Sequence, residues 1–236
     1  MNQWFENLQS DIKNASNAGR YEEIFWKSAK DLLFNYHIEC EKSSFNIVEI
    51  EFYYFDKKLH PDCYTHCHDI QKNTLQWYLH RGSNGGIKNG NRKGIDITIG
   101  NGVDVFGGVL IRSLQDSEGN IITGPSLSVD AIIKAMEIQD VHTLENQIGN
   151  TPIDKSALRV VAREDQHLNY VYRGPRIGLS GVKPFKDTLY RFTFLKGKIP
   201  DKEKLAKIAI CKDNRDKDFV RSDLGYSIKV DCNYES

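Results

Sequence analysis

The sequence of 236 residues has no long apolar run and no excess of charge of either sign. No stretch approaches the roughly 20 apolar residues that span a bilayer, and Lys plus Arg equal Asp plus Glu at 32 each. A membrane protein is therefore not expected, nor a protein drawn to nucleic acid by a global positive field. The first ten residues lack the basic and apolar parts of a signal peptide. We expect a cytoplasmic protein, associated with the nucleoid if the host is bacterial.

Cysteine is scarce and odd in number. The five cysteines are Cys40, Cys63, Cys67, Cys211 and Cys232. Their scattering does not resemble a disulfide framework and is typical of a reducing compartment. Free thiols or a metal site remain as interpretations.

Internal repeats, low-complexity tracts and proline-rich linkers are also absent. What is present, 39 % hydrophobic, 27 % charged and 11 % aromatic residues, is typical of a chain that buries a sizeable core. We predict a monomer with one α/β (α+β) domain at 38–210. A helical lead-in at 1–37 precedes the domain, and a charged tail at 211–236 follows it.

Hydrophobic periodicity predicts the elements. Two amphipathic helices lie between Trp4 and Asn35, with a breaker at 17–20. The predicted strands are 45–55, 94–99, 106–114, 158–162, 168–172, 176–179 and 189–195, with a weak one at 226–230. Further helices are predicted at 126–136, with Ser126 as the cap, at 141–148 and at 200–209. Gly100, Asn101 and Gly102 predict a hairpin turn; its tip is small, which favours turn chemistry, although Asn101 is kept as a candidate DNA contact.

One predicted strand carries two carboxylates. Because side chains alternate along a strand, Glu49, Glu51 and Tyr53 share one face, and Val48, Ile50, Phe52 and Tyr54 share the other. The second face is expected to be core. Two carboxylates beside an aromatic ring suit a site that polarises water next to a flat substrate. The alternative is an edge strand with a solvated polar face.

The stretch 60–69 contains three of the seven histidines and two of the five cysteines. Structural zinc sites pair two such clusters, and no second cluster with ligand spacing follows. A loop that lends one histidine to a neighbouring polar site is therefore favoured over zinc.

The segment 71–95 is the best local basic patch, because it contains five basic residues and no Asp or Glu. Its candidate phosphate contacts are Arg81, Lys88, Arg92 and Lys93. The interleaved Trp77, Tyr78 and His80 can stack on bases. A solvated loop beside a buried Trp is the alternative.

Taken in chain order, five segments resemble the 3-methyladenine (alkyladenine) DNA glycosylases. Residues 48–53 match the family's Val-Glu-Thr-Glu-Ala-Tyr strand, and 108–114 match its strand ending in Leu-Ile-Arg-Ala-Leu. Residues 124–127 match its Gly-Pro helix start, 175–179 its Pro-Arg-Ile-Gly segment and 190–192 its Leu-Arg-Phe segment. The resemblance covers roughly 47–195.

The resemblance implies a single domain with a mixed, largely antiparallel, curved sheet flanked by helices. It implies that Glu51 is the general base that activates water against C1′ of the deoxyribose. Tyr53 and His66, with Glu49 and with His68 as a fallback, would line the pocket of a flipped base. Arg112 would hold the pocket wall or approach the DNA backbone, with a purely structural role as the alternative. Arg176 is a further candidate for a phosphate contact. No lysine is placed to form a Schiff base, so the enzyme would be hydrolytic and monofunctional, with no cofactor and no metal.

The sequence also departs from that family. The family's Tyr-Val-Tyr strand corresponds here to Ile97, Thr98 and Ile99, so a stacking wall and the duplex wedge are missing. A roomier pocket around Ile99 is expected. The first hypothesis is a divergent glycosylase that acts on a modified base in duplex or single-stranded DNA. Its role would be repair or defence against foreign DNA. A non-catalytic binding protein of the same fold and, third, a zinc protein are the alternatives.

Overall fold

The computed structural model describes residues 2–15, 18–163, 170–181 and 185–232. The chain begins with helices α1 (Asn2–Lys13) and α2 (Tyr21–Asn35), as the spacing of apolar residues predicted. Asn17 of the predicted breaker and residues 168–169 of the predicted strand 168–172 lie outside the described residues. No helix of the described residues is long and apolar enough to cross a membrane.

A curled antiparallel sheet forms the centre of the α+β domain, as expected from the sequence. Its strands are β1 (Tyr36–Cys40), β2 (Ser43–Asp56), β3 (His60–Pro61), β4 (Thr74–Leu79), β5 (Ile95–Ile99), β6 (Phe106–Gln115), β7 (Ile121–Thr123), β8 (Arg159–Ala162), β9 (Tyr172–Gly174) and β10 (Arg191–Thr193). The main order is β4-β5-β6-β2-β1-β8, and β10 pairs with both β2 and β9. β2 is therefore internal to the sheet, with β6 along one edge and β1 and β10 along the other.

One face of the sheet packs on the helices and forms the apolar core. Ile50, Phe52 and Tyr54 of β2 lie there with the isoleucines of β5 and with Trp4 and Phe25 of the N-terminal helices. Phe25 stacks on Phe52 with ring centroids 4.6 Å apart. The helices predicted as a lead-in thus share the core of the domain, and they cover the face opposite Glu49 and Glu51.

Val48 does not follow the alternation of side chains predicted for β2. The register between β2 and β6 shifts on both sides of Glu49, and such bulges redirect side chains. Val48 consequently joins a second apolar cluster with Tyr172 and Leu205. This cluster lies under helices α5 (Lys202–Cys211) and α6 (Lys217–Leu224).

The remaining helices are α3 (Pro125–Ala135) and α4 (Val141–Ile148). Ser126 is not the cap of α3: Gly124 takes the cap position with a φ of 108°, and the Ser126 hydroxyl instead donates to the carbonyl of Gly90 at 2.9 Å. Pro125 occupies the first turn, where its missing N–H costs no hydrogen bond.

The C-terminal region contains the other corrections. Residues 176–179 form a turn rather than a strand, 226–230 have no regular structure, and α6 was not predicted. Cys211 and Cys232 form a disulfide with Cα atoms 5.3 Å apart, whereas the sequence spacing argued against disulfides. The bond ties the end of the described chain to α5.

Candidate functional site

Two glutamates lie side by side at the centre of the sheet. Glu49 and Glu51 are both 0 % exposed, because β2 pairs with β6 and with β10 at these positions. The alternative of a solvated edge strand is therefore excluded. A buried carboxylate is stable only when it is paired or hydrogen-bonded.

Three donors hold the Glu51 carboxylate. Its Oε1 accepts from the backbone N–H of Ile177 at 2.8 Å and lies 3.3 Å from Nη1 of Arg112. Its Oε2 accepts from the Tyr53 hydroxyl at 2.8 Å. Burial and then the charge of Glu51 hold the pKa of Tyr53 well above its ordinary value, so the hydroxyl stays a donor. Because a carboxylate offers about four acceptor positions, one position on Oε2 has no donor among the described residues.

Glu49 has its own pair of donors. Its Oε1 accepts from Nε of Arg191 and its Oε2 from the Ser113 hydroxyl, both at 2.6 Å. Arg191 is anchored further by the carbonyl of Pro200 at 2.8 Å. Arg191 lies closest to Glu49, and Arg112 lies between the two glutamates, 3.3 Å from Oε1 of Glu51 and 3.7 Å from Oε1 of Glu49.

Arg176 covers the ring of Tyr53. Its guanidinium carbon lies 4.6 Å from the ring centroid, and Nη1 donates to Asp62 at 2.6 Å. Both side chains of this ion pair are 0 % exposed. The expectation that Arg176 contacts a DNA phosphate is corrected by this burial.

The face that carries Glu51 continues across the next three strands. Glu51 is opposite Leu110, Leu110 is opposite Asp96, and Asp96 is opposite Tyr78. Residues directly opposite on antiparallel strands share a face, and three interstrand spacings separate β2 from β4 by about 14 Å. One step along this face, Gly108 lies between Tyr53 and Thr98, so no side chain rises from β6 there.

A cluster of imidazoles lies at the β4 end of this face. Nε2 of His80 is 2.7 Å from Oδ1 of Asp96, which is 1 % exposed. His68 stacks on Tyr78 with centroids 5.4 Å apart, and His66 lies 4.7 Å from His80. Burial and then the neighbouring His80 lower the pKa of His66 to about 4. At neutral pH His66 therefore presents one donor and one acceptor.

Ile99 does not belong to this site. It is 0 % exposed and lies in the apolar core with Ile95 and Ile97, on the face opposite Asp96 and Thr98. The prediction that it lines a pocket with Glu51 is corrected, because alternation along β5 directs it to the core.

The predicted DNA contacts divide into bound and unbound cations. Arg81 pairs with Glu145, and Lys93 lies 3.0 Å from Asp130 and is 9 % exposed. These two are corrected to structural roles. Among the described residues, no side chain pairs with the ammonium of Lys88 or with the exposed guanidinium of Arg92. These two residues therefore remain candidates for contacts with DNA phosphates.

Two further residues predicted to contact DNA instead bind other groups of the protein. Arg112 is 8 % exposed and lies against Glu51. The prediction that it approaches the DNA backbone is therefore wrong, but Arg112 belongs to the site. The Asn101 side chain accepts from the backbone N–H groups of Val103, Asp104 and Val105 at 2.9 to 3.0 Å. It organises the turn, as the small tip suggested.

The His- and Cys-rich stretch does not converge on one point. His60 is buried between the carbonyl of Tyr54 at 2.7 Å and the hydroxyl of Tyr190 at 2.6 Å, whereas Cys63 and Cys67 are exposed. In the described part of the chain, no group of three His, Cys, Asp or Glu side chains is placed to hold a metal ion. The zinc hypothesis thus has no geometry to support it.

Several site residues were not singled out from the sequence. Arg191 and the Ile177 N–H come from segments that the family resemblance had matched without assigning a role. Asp62 and Asp96 had a weaker signal: Asp96 is the one carboxylate in the isoleucine-rich strand β5. An acid in such a strand must have a partner, and His80 is that partner.

Comparison with known proteins finds a similarity to a viral protein. No protein-family model matches the chain. It is 30 % identical over 210 residues to an uncharacterized protein of Acanthamoeba polyphaga mimivirus, and the alignment covers 78 % of this chain and 93 % of the viral protein. The likeness thus extends over nearly the whole viral protein.

Proposed function

This chain belongs to the same family as the mimivirus protein, and we propose that it is a monofunctional DNA glycosylase. In this proposal the protein binds DNA that carries a damaged or modified base, flips that base out and hydrolyses its N-glycosidic bond. Glu51 activates the water. The product is an abasic site.

The observation that carries the proposal is that three segments distant in the chain converge on the two glutamates of a fourth. Arg112, Ile177 and Arg191 come from three of the segments that resemble alkyladenine glycosylases, and Glu51 comes from a fourth. The spacing along the chain reaches 142 residues between Glu49 and Arg191. Motifs matched independently in the sequence thus supply the direct partners of one carboxylate pair, which supports a shared site.

The chemistry follows from the contacts of Glu51. Arg112 and the Ile177 N–H hold the Glu51 carboxylate in place, and an ionised carboxylate accepts a proton from water. The activated water attacks C1′ as the bond to the base breaks and positive charge develops on the sugar. The same negative carboxylate stabilises that charge.

Binding to DNA falls to local contacts, because the net charge is zero. Lys88 and Arg92 supply the candidate phosphate contacts on the loop after β4. We take the protein to act as a monomer in the cytoplasm, on duplex or single-stranded DNA.

The test is excision from end-labelled oligonucleotides that carry alkylated, deaminated, etheno or bulky modified bases, scored by alkali cleavage. We expect wild type to leave abasic sites in at least one substrate. Glu51→Gln should lower the rate by about a hundredfold or more. Glu49→Gln is the matched control, because it removes an equally buried carboxylate charge from the same strand while leaving the Arg112 to Glu51 contact.

Retained activity in Glu51→Gln, with Glu49→Gln equally active, would reject the proposed base. If wild type releases no base from the whole panel but binds the same oligonucleotides, the non-catalytic binding protein replaces the glycosylase.

A further inference from the structure

A groove that shares no residue with the glutamate site lies between α6 and the chain that follows it. Gly225 ends α6 with a φ of 80°, a left-handed conformation that glycine adopts without strain. The disulfide then joins Cys232 to Cys211 at the end of α5. Because α6 begins shortly after Cys211, the segment 226–232 has to return along α6 to reach that bond.

The groove has an apolar floor and a basic rim. Its volume is about 310 Å³, near the lower limit of pockets that bind small organic ligands. It is lined by the aliphatic Ile210, Ile228 and Val230 and by the basic Lys217, Arg221 and Lys229. The three basic residues are exposed, whereas the two isoleucines are buried. Because none of the lining residues is acidic, the groove is positively charged in a chain whose net charge is zero.

The positive charges come from both walls of the groove. Lys217 and Arg221 are four residues apart on α6, so their side chains lie on one face of the helix. Lys229 comes from the returning segment. Among the described residues, no carboxylate pairs with Lys217 or Lys229, and Arg221 pairs at 3.1 Å with the exposed Asp218. An exposed ion pair is weak, so an anion in the groove can compete for Arg221.

Two acids of α6 and its cap are directed away from these cations. The Asp216 carboxylate accepts from the backbone N–H of Phe219 at 2.8 Å and so caps the helix. Asp223 accepts from the Tyr172 hydroxyl at 2.8 Å. The balancing charge for the two lysines therefore has to come from outside the groove.

The disulfide fixes the wall that carries Lys229. The described residues 226–232 form no helix or strand, so this segment is held by the packing of Ile228 and Val230 on the second apolar cluster and by the bond at its end. A dithiol opens the bond by thiol–disulfide exchange. The dithiol is oxidised to a disulfide, and the two cysteine sulfurs take up two electrons and two protons as thiols. Reduction thus frees one wall of the groove.

We propose that this groove binds a phosphate monoester with a small, flat body, such as a nucleoside monophosphate, and that the disulfide holds the groove in its binding form. The phosphate accepts from the guanidinium and the two ammonium groups, which are the side-chain groups that bind phosphate in proteins. The body of the ligand lies on the three aliphatic residues. The inference does not depend on the glycosylase, because the groove and the glutamate site have no residue in common.

The test is an NMR titration of the ¹⁵N-labelled, oxidised full chain with adenosine monophosphate, adenosine and inorganic phosphate. We expect adenosine monophosphate to shift the amide signals of Lys217, Arg221 and Lys229. Its affinity should exceed that of either fragment by about tenfold or more, because each fragment makes only part of the contacts. Absence of shifts at these residues, or equal affinities for the three ligands, would overturn the inference.

Lys217→Gln combined with Lys229→Gln removes two charges from the rim. We expect this variant to bind adenosine monophosphate about tenfold or more weakly than wild type. The matched control is Lys204→Gln with Lys207→Gln, which removes the same charge from lysines of α5 that do not line the groove. The control should bind as wild type does. Equal affinities of the two double variants would reject the site.

Excess dithiothreitol tests the part assigned to the disulfide. We expect it to weaken the binding of adenosine monophosphate to wild type by about tenfold, and Cys232→Ser to bind weakly with or without the reductant. Cys63→Ser is the control at an exposed thiol and should respond to the reductant as wild type does. Affinity that is unchanged in dithiothreitol would overturn the role of the bond.

An unmodified oligonucleotide without terminal phosphates distinguishes a small ligand from the DNA backbone. We expect it to shift the groove signals only at concentrations about tenfold or more above those needed for adenosine monophosphate. If the oligonucleotide shifts them at lower concentration, the groove is a contact for DNA phosphates and the inference is overturned.

Discussion

The charges of Glu49 and Glu51 are stable inside the sheet because arginines from other strands lie against them. Arg191 is 1 % exposed, and it reaches Glu49 from β10 across a single interstrand spacing. Removing one member of such a pair leaves the other charge buried and unbalanced. The arginine partners of Glu49 and Glu51 are therefore needed for the stability of the site.

The substitution Arg191→Met tests this dependence on a partner. We expect it to lower the free energy of unfolding by about 3 to 5 kcal/mol, measured by urea denaturation. Adding Glu49→Leu should recover much of the loss, since no unpaired charge then remains. Arg221→Ala is the control, because Arg221 pairs with Asp218 on an exposed helix face, and it should change stability by less than about 1 kcal/mol. If Arg191→Met lowered the free energy of unfolding by no more than Arg221→Ala does, the buried pair would not be important for stability.

The titration of His66 gives a second prediction at this scale. Its pKa is lowered to about 4, whereas an unfolded histidine titrates near 6.5. The unfolded chain therefore binds the proton more readily, so His66 lowers stability as the pH falls from about 6.5 to about 4 and leaves stability independent of pH above that window. NMR of the imidazole protons, with His66→Asn for assignment, should give a midpoint near 4. A midpoint at or above 6 would contradict the environment described for His66.

At the scale of elements, β6 lies between β2 and β5, and Gly108 leaves room beside it for the side chains of Asp96 and Gln71. A Cβ at this position would lie 2.6 Å from Oδ2 of Asp96 and 3.1 Å from Nε2 of Gln71. The single-turn helix that carries Gln71 (Asp69–Lys72) packs on this strand. The glycine thus allows the loop after β3 to approach the site face.

Gly108→Ala should lower the free energy of unfolding by about 1 to 3 kcal/mol, the usual cost of overpacking. The control is Gly86→Ala on the exposed loop, where the nearest atom, the flexible Asn84 side chain, is 3.4 Å from the added Cβ. Thermal and urea unfolding measure both variants. Equal stability of Gly108→Ala and Gly86→Ala would show that the close approach is not essential.

The elements also show how far local sequence patterns reach. Strands β2, β5 and β6 and helices α1, α2 and α4 were predicted from the apolar residues that they bury. Strands β1 and β4 were missed, because β1 begins at the residue after α2 ends, with no turn signal between them, and β4 lies within the segment that was interpreted as a basic patch. The shift of Val48 to the second cluster depends on a bulge, which alternation alone does not reveal.

For the site, the sequence predicted Glu49, Glu51 and Tyr53 on one face, and the structure agrees. It could not place Arg112 and Arg176, because an arginine that ends a strand looks the same whether it is solvated or paired. Burial of the partner acids, Glu51 and Asp62, decides the matter. Ile99 was misplaced because its pocket role was inferred from a departure from the family rather than from its own strand.

At the scale of the whole molecule, the Cys211–Cys232 disulfide closes a loop over a sequence separation of 21 residues. Such a cross-link restricts the unfolded chain and contributes about 3 kcal/mol in the chain-entropy model. Cys232→Ser should lower the free energy of unfolding by about that amount under oxidising conditions and have no effect in excess reductant, as a reducing compartment would impose. Cys63→Ser is the control at an exposed, unpaired thiol. Equal stability of all three proteins without reductant would contradict the bond.

The fold brings Glu51, Arg112 and Ile177 together. The proposed function requires that the Glu51 carboxylate activate water against a glycosidic bond. The most direct measurement is the single-turnover rate of abasic-site formation by wild type, Glu51→Gln and Glu49→Gln on the best substrate of the panel. We predict a rate for Glu51→Gln at least about a hundredfold below that of Glu49→Gln, with both variants folded. Equal rates for the two variants would contradict the assignment of the base, and the absence of product from wild type would contradict the enzyme.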